Sequence, residues 1–452
     1  MTGLFDGVFS RGAAATDSAA WLRAMLDTEA ALARALERAG LAPAGAGAAV
    51  TAAAAGTFDA GGLGRQAALS GNPVPALVAA LRKAVPAEVA DTVHRGATSQ
   101  DIIDTAAMLL ARGALDAIAA DLAAAAEGCA GLAAAHRDTV MIGRTLLQQA
   151  VPVTFGLVAA GWLTGLDESS EAVARVRERR LALQFGGAAG TLASLGGDGP
   201  AVARLLADEL GLALPVLPWH TDRSRIAEVA AACAGVSGAL AKIARDVTLL
   251  AQSEVGEVRE GGGGSGGERR GGSSAMPHKQ NPVAAIAILG CTRRVPGLVA
   301  TLAAAAEQEH QRAAGAWHAE WEPFADLLRV TGSAASWGAE LTGRLVVDPA
   351  RMRANLDATR GLPLAERVSE LLAPPLGRAV AHDLVARASA HAVAVGSTLR
   401  ESLLGVPDLA GWVHGAGITS AQIDAALDPA GYLGSAGIFT DAALAAHAAR
   451  QK

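Results

Sequence analysis

The stretch TDRSRIAEVAAACAGVSGALAKIARDVTLLAQSEVGEV, residues 221–258, decides the fold. Ile226, Val229, Cys233, Val236, Leu240, Ile243, Val247 and Leu250 recur in it at alternating spacings of three and four, the signature of a sustained heptad seam. Thr221 or Asp222 supplies an N-cap, and at 1.5 Å per residue the seam spans roughly 36 Å. A helix of that length needs partner helices to cover its apolar stripe. The Ala and Gly residues around the seam let neighbouring backbones approach closely, so a long-helix bundle that continues into other subunits is expected. Residues 101–137 and 283–312 are equally Ala-rich and read as further helices. Pro152 and Pro296 fall inside patterns that otherwise look helical, and each is expected to kink or break its helix.

Outward from this seam, the chain of 452 residues is rich in Ala and Leu, with 3% aromatic and 18% charged residues, which makes the predicted fold all-α. That length exceeds one growing core. Three helical domains are expected: 1–105, a central bundle over 106–345, and a smaller one over 346–452, with turn signals near Asp348 and at 361–363 marking the second boundary. Two Gly-rich interruptions stand out, 184–199 (QFGGAAGTLASLGGDG) and 261–272 (GGGGSGGERRGG), the second expected to be mobile. A net charge of −6 opposes a nucleic-acid partner. The Ala-rich run 117–135 is interrupted by Asp121, Glu127 and glycines and makes a poor membrane span. Residues 1–17 make a poor signal peptide, so the expected location is cytoplasmic. Cys129, Cys233 and Cys291 lie far apart, without metal-ligand spacing, and read as free buried thiols.

Four segments carry residue types suited to chemistry. His94-Arg95-Gly96-Ala97-Thr98-Ser99-Gln100-Asp101 precedes an apolar-periodic run, and a helix starting there aims free N–H groups at an anion such as a carboxylate. An ordinary N-cap is the plainer reading. Arg144 and Gln148 sit four apart, on one face if helical, where Arg clamps a carboxylate and Gln adds an amide donor; the plainer reading is a surface Arg beside a Pro kink. The third segment, Gly272-Ser273-Ser274-Ala275-Met276-Pro277-His278-Lys279-Gln280-Asn281-Pro282, is the most specific. Consecutive serines on a glycine tether, followed by a cation and an amide, supply a proton-transfer group and its electrostatic support. A bare linker has no need of that sequence. The fourth, AGAWHAEW (314–321), gathers two of seven tryptophans around His318 and Glu320, with core packing as the alternative. His136, His310, His382, His391, His414 and His447 stand alone in sequence, and His220 reads as structural.

Taken in order, GATSQDIIDTA, GRTLLQQAVPVTFG and GGSSAMPHKQNPV resemble the three signature regions of the fumarase/aspartase superfamily, which includes adenylosuccinate and argininosuccinate lyases. Within it, LLQQAVPVTFG and AGAWHAEW resemble the bacterial 3-carboxy-cis,cis-muconate cycloisomerase branch. The resemblance implies a homotetramer with a twenty-helix core, active sites shared among three subunits, a small tricarboxylate substrate, and no metal or organic cofactor. It implies that Ser273 is the catalytic serine, with Ser274, Met276, Lys279 and Asn281 in substrate binding. Thr98, Ser99 and Gln100 are implied to bind a carboxylate, with His94 nearby as a second catalytic candidate that assists proton movement, a task for which His278 is the alternative.

One departure narrows the chemistry. Many relatives of this superfamily read Arg-Thr-His-x-Gln where this chain has Arg144-Thr145-Leu146-Leu147-Gln148, so the imidazole that assists a leaving group is missing. Lactonisation of a carboxymuconate does without it. The attacking substrate carboxylate is already ionised, with an ordinary pKa of about 4, and in reverse it leaves unprotonated. What remains is proton delivery to the carbon next to a second carboxylate, the task expected of Ser273 in the protocatechuate branch of the β-ketoadipate pathway. The alternatives are an adenylosuccinate-lyase-like C–N lyase and a non-catalytic helical scaffold.

Overall fold

The computed structural model describes residues 3–12, 15–261, 271–272, 276 and 279–451. Among the described residues the fold is all-α apart from two small antiparallel strand pairs. Its long helices are Ser18–Arg38, Ser99–Ala135, Phe155–Arg179, Ser224–Leu250 and Ala316–Arg344. Every residue of the predicted seam, from Ile226 to Leu250, is buried. The helix starts at Ser224, where Asp222 accepts the Ser224 N–H at 3.0 Å. Pro296 ends the run begun at Val283 as expected: one helix covers Val283–Thr292 and the next Val295–Ala304, so the predicted helix 283–312 is divided and stops early.

Pro152 behaves differently from the sequence reading. Residues Val140–Thr145 and Gln148–Thr154 form a hairpin, with Pro152 opposite Ile142, so Arg144 and Gln148 do not share a helical face. The register slips between Ile142 and Arg144, and Gly143 sits at the slip because a Cβ there would come within 2.6 Å of the Val151 carbonyl oxygen. In a two-stranded ribbon an unpaired edge tolerates a residue with no N–H to donate.

Two compact units emerge, one of residues 1–123, 168–241 and 287–339, the other of 124–167, 242–286 and 340–452. In the first, Leu26, Leu77, Leu81, Ile102 and Trp317 share one core. In the second, Val368, Leu372, Leu384, Leu399, Leu403 and Val413 form another. Strand Val258–Glu260 of the second unit pairs with Leu345–Val347, which anchors the chain just before the Gly-rich tract. All three cysteines are free and buried, and burial pushes the Cys129 and Cys233 thiols up to about 12.

Candidate active site

In the first unit, the candidate residues of the His94–Asp101 segment lie at the start of helix Ser99–Ala135. Thr98 caps this helix: its N–H donates to the Asp101 carboxylate at 2.9 Å, and the Asp101 N–H returns to the Thr98 carbonyl at 3.0 Å. Asp101 is buried and also accepts the N–H groups of Gly186 (3.0 Å) and Gly187 (2.9 Å), with His220 Nε2 at 2.7 Å. The first Gly-rich interruption is therefore tied down by the capping carboxylate, and His220 is structural. Gly96 has φ +84°, and any Cβ on it would strike the Leu195 side chain.

Around that cap the candidate residues separate. Thr98 and Ser99 are half-buried, whereas Gln100 is buried and spends its amide N–H groups on Asp104 (3.1 Å) and the His220 carbonyl (2.8 Å). His94 Nδ1 lies 2.6 Å from Glu29. One group escaped the sequence reading: Arg312 Nη1 donates to Thr98 Oγ1 at 2.5 Å, and the half-buried guanidinium has no carboxylate partner among the described residues. Its position in sequence, two residues after His310, carried no signal of this.

Beneath the cap lies a buried ion cluster. The Arg223 guanidinium bridges Asp104 (2.8 and 3.0 Å) and Glu320 (2.5 to 3.1 Å), and Trp317 Nε1 donates to Asp104 at 2.9 Å. Burial pushes the Glu320 carboxyl up, against the pull of Arg223. The AGAWHAEW cluster is thus mainly scaffolding, with Trp317 and Trp321 in edge contact at 4.8 Å. The exposed His318 ring packs against both.

The second unit holds the hairpin and the described residues around the serine segment. Arg144 makes a two-pronged pair with the fully buried Glu257 at 2.6 and 2.9 Å, and Asn355 holds the same carboxylate at 2.8 Å. Its charge is balanced within the protein. The hairpin tip presents Leu146 and Leu147, 96% and 73% exposed, both in the left-handed region at φ +52° and +63°. Gln148 beside them is exposed. Ser273, Ser274 and His278 lie outside the described residues. Of their neighbours, Met276 and Lys279 are exposed, and the Lys279 N–H donates to the Met276 carbonyl at 3.0 Å. Asn281 closes the base of the segment, with backbone and side-chain N–H groups donating to the Gly271 carbonyl at 2.9 and 3.1 Å. Glu260 accepts the first N–H groups of helix Val283–Thr292, from Ala284 (3.1 Å) and Ala285 (3.0 Å), a cap not anticipated. Among the described residues no group of three or more His, Cys, Asp or Glu side chains is arranged to hold a metal ion.

Comparison with known proteins gives the family to which these segments belong. The family described as Lyase matches residues 12–297, and the family described as adenylosuccinate lyase C-terminus matches 361–443. The chain belongs to this lyase family. A 3-carboxy-cis,cis-muconate cycloisomerase of Bradyrhizobium diazoefficiens is 48% identical over 432 residues, covering 95% of this chain and 94% of the relative. A nitrosuccinate lyase of Streptomyces davaonensis is 45% identical over 443 residues, 95% of this chain and 91% of the relative. The crystal structure of 3-carboxy-cis,cis-muconate lactonizing enzyme from Pseudomonas putida superposes with a TM-score of 0.91 at 43% identity, covering 100% of both chains. In this lyase chain, the hairpin with its leucine tip and the Thr98 cap belong to the matched region 12–297.

Proposed function

We propose that this chain is a cycloisomerase that closes 3-carboxy-cis,cis-muconate to 4-carboxymuconolactone. The observation that carries the reading is the hairpin tip: Leu146 and Leu147 offer no proton donor where an amine or hydroxide leaving group would need one. Relatives of that name at close to half identity over nearly the whole chain support it. A substrate carboxylate attacks the double bond, forming the ring C–O bond, and negative charge accumulates on the carbon next to a second carboxylate. Ser273 delivers a proton there. Thr98, Ser99 and Arg312 take a substrate carboxylate at the head of the Ser99 helix, while Lys279 and Asn281 support the developing anion. Because Glu257 balances Arg144, we assign substrate charge to Arg312 and Lys279, which have no carboxylate partner among the described residues, and Arg144 with Gln148 acts chiefly through hydrogen bonds. Gln100 works from below, holding Asp104 and the His220 carbonyl in place.

The assembly we propose is a cytoplasmic homotetramer with shared active sites, built from functional segments 1–105, 106–345 and 346–452. Two apolar helical runs support self-association: Ser224–Leu250 and Val283–Ala304 bury only 50% and 39% of their most apolar stretches within one subunit.

The test is direct. Purified protein incubated with 3-carboxy-cis,cis-muconate should bleach the diene absorbance and yield lactone, and Ser273→Ala should abolish this while the protein still assembles. Adenylosuccinate cleavage in place of lactonisation would reverse the assignment, and inertness towards both, and towards nitrosuccinate as well, would leave a scaffold. A second reading is elimination of nitrite from nitrosuccinate, favoured by the 45% identical relative and by the same tip, since nitrite also leaves as an unprotonated anion. Running the two substrates side by side ranks them by kcat/KM.

A further inference from the structure

The carboxylate of Glu29 has no task in the reaction just outlined, and its surroundings make it costly. Helix Ser18–Arg38 carries it on the face that buries Leu22, Leu26, Ala33 and Leu36. The side chain is 0% exposed, yet among the described residues its one hydrogen-bond partner is His94 Nδ1 at 2.6 Å, and Oε2 has none. An ionised carboxylate with half of its acceptor capacity unused in an apolar core costs several kcal/mol, which a Met or Leu of similar volume would avoid. His94 is itself held at φ +64°, a left-handed conformation that is unfavourable for a residue with a Cβ. Two independent departures from low energy converge on one imidazole. The His94 side chain remains 18% exposed, four residues before the helix cap Thr98, and its Nε2 has no partner among the described residues.

We infer that Glu29 is a positioning residue acting through His94. An ionised carboxylate only accepts hydrogen bonds, so Nδ1 must carry the proton and Nε2 becomes the nitrogen free to exchange one with the reacting system. The short contact also pins the ring, so that Nε2 is presented in one orientation. The inference rests on His94 being a site residue, and the experiment separates the two.

The experiment is a double-mutant cycle on the whole enzyme, read by lactonisation kinetics. Glu29→Met should assemble and unfold at the same or higher denaturant concentration than the parent, because a buried charge with one partner has been replaced by an apolar side chain. Its kcat should nevertheless fall at least about tenfold, a part of the 10²–10⁴ that a positioned acid–base group supplies, with KM within about twofold. Glu29→Gln keeps the shape and an acceptor but no longer compels one tautomer, so its kcat should fall between the two. In a His94→Asn background neither change should matter further. If Glu29→Met keeps the parental kcat while His94→Asn is impaired, the positioning role is refuted and His94 stays in the site. An undiminished Glu29 effect in the His94→Asn background assigns Glu29 to packing and refutes it too. Parental kcat in His94→Asn removes His94 from the site and the inference with it. Should Glu29→Met fail to assemble, the cycle with Glu29→Gln decides by the same comparison.

Discussion

Replacing Arg223 by Met tests whether the buried ion cluster holds the carboxylate cap in place. Arg223, Asp104 and Glu320 have side chains only 1–3% exposed, and the guanidinium bonds both carboxylates while stacking on Trp219 at 4.8 Å. Met restores much of the volume but leaves two carboxylates facing each other without a cation. Removing one partner of a buried ion pair costs about 3–5 kcal/mol, a large share of the roughly 5–15 kcal/mol that stabilises a typical domain. The loss should depend on pH in a defined direction. Burial already raises the Glu320 carboxyl above its ordinary 4.5 in the parent, despite Arg223. A raised carboxyl contributes stability that is complete below 4.5 and is lost as pH rises through the folded-state value. Without the cation, Asp104 and Glu320 repel and that window widens upward. Denaturant unfolding at one protomer concentration should therefore show a deficit larger at about pH 7 than at about pH 5, the range over which carboxyls become protonated. Adding Asp104→Asn and Glu320→Gln should recover part of the loss. An equal deficit at both pH values, or one below about 1 kcal/mol, the scale of a single ordinary hydrogen bond, would refute the reasoning.

Three further outcomes follow from the geometry. Arg312→Met should raise KM for the tricarboxylate about ten- to a hundredfold with little change in kcat, since a hydrogen bond to a charged group is worth about 1.5–3 kcal/mol; steady-state kinetics with KM unmoved would remove Arg312 from the carboxylate pocket. Leu146→Asn with Leu147→Gly supplies the residue types that a left-handed two-residue turn prefers, relieving a penalty of about 1–2 kcal/mol per residue. Lactonisation should slow although thermal stability is kept, and an unchanged rate would separate the tip from the site. His447 is held by Asp167 (2.9 Å) and Glu127 (3.3 Å), and although burial lowers its pKa, those carboxylates raise it overall. Its contribution to stability is complete below the ordinary 6.5 and disappears as pH rises through the higher folded value. His447→Leu should flatten that fall in urea titrations at a series of pH values, whereas an unaltered slope would assign it to other groups.

Periodicity alone determined that residues 226–250 form a buried helix, because eight apolar side chains at three- and four-residue spacings have one helical solution. Pro296 likewise broke its helix as a residue without an N–H must. The serine segment stood out in the sequence because so many chemically distinct side chains crowd into one short run, and its serines lie outside the described residues. The hairpin was not: a turn at Leu146-Leu147 lacks the Asn-Gly that usually announces one, and spacing alone made Arg144 and Gln148 look like helix neighbours. Tertiary structure alone decided which charges remain free. Arg144 meets Glu257 across 113 residues, Thr98 meets Arg312 across 214, and His447 meets Asp167 across 280. Local propensity extends over a turn or two, whereas the pairing of charges so far apart in sequence depends on where the packed helices deliver them.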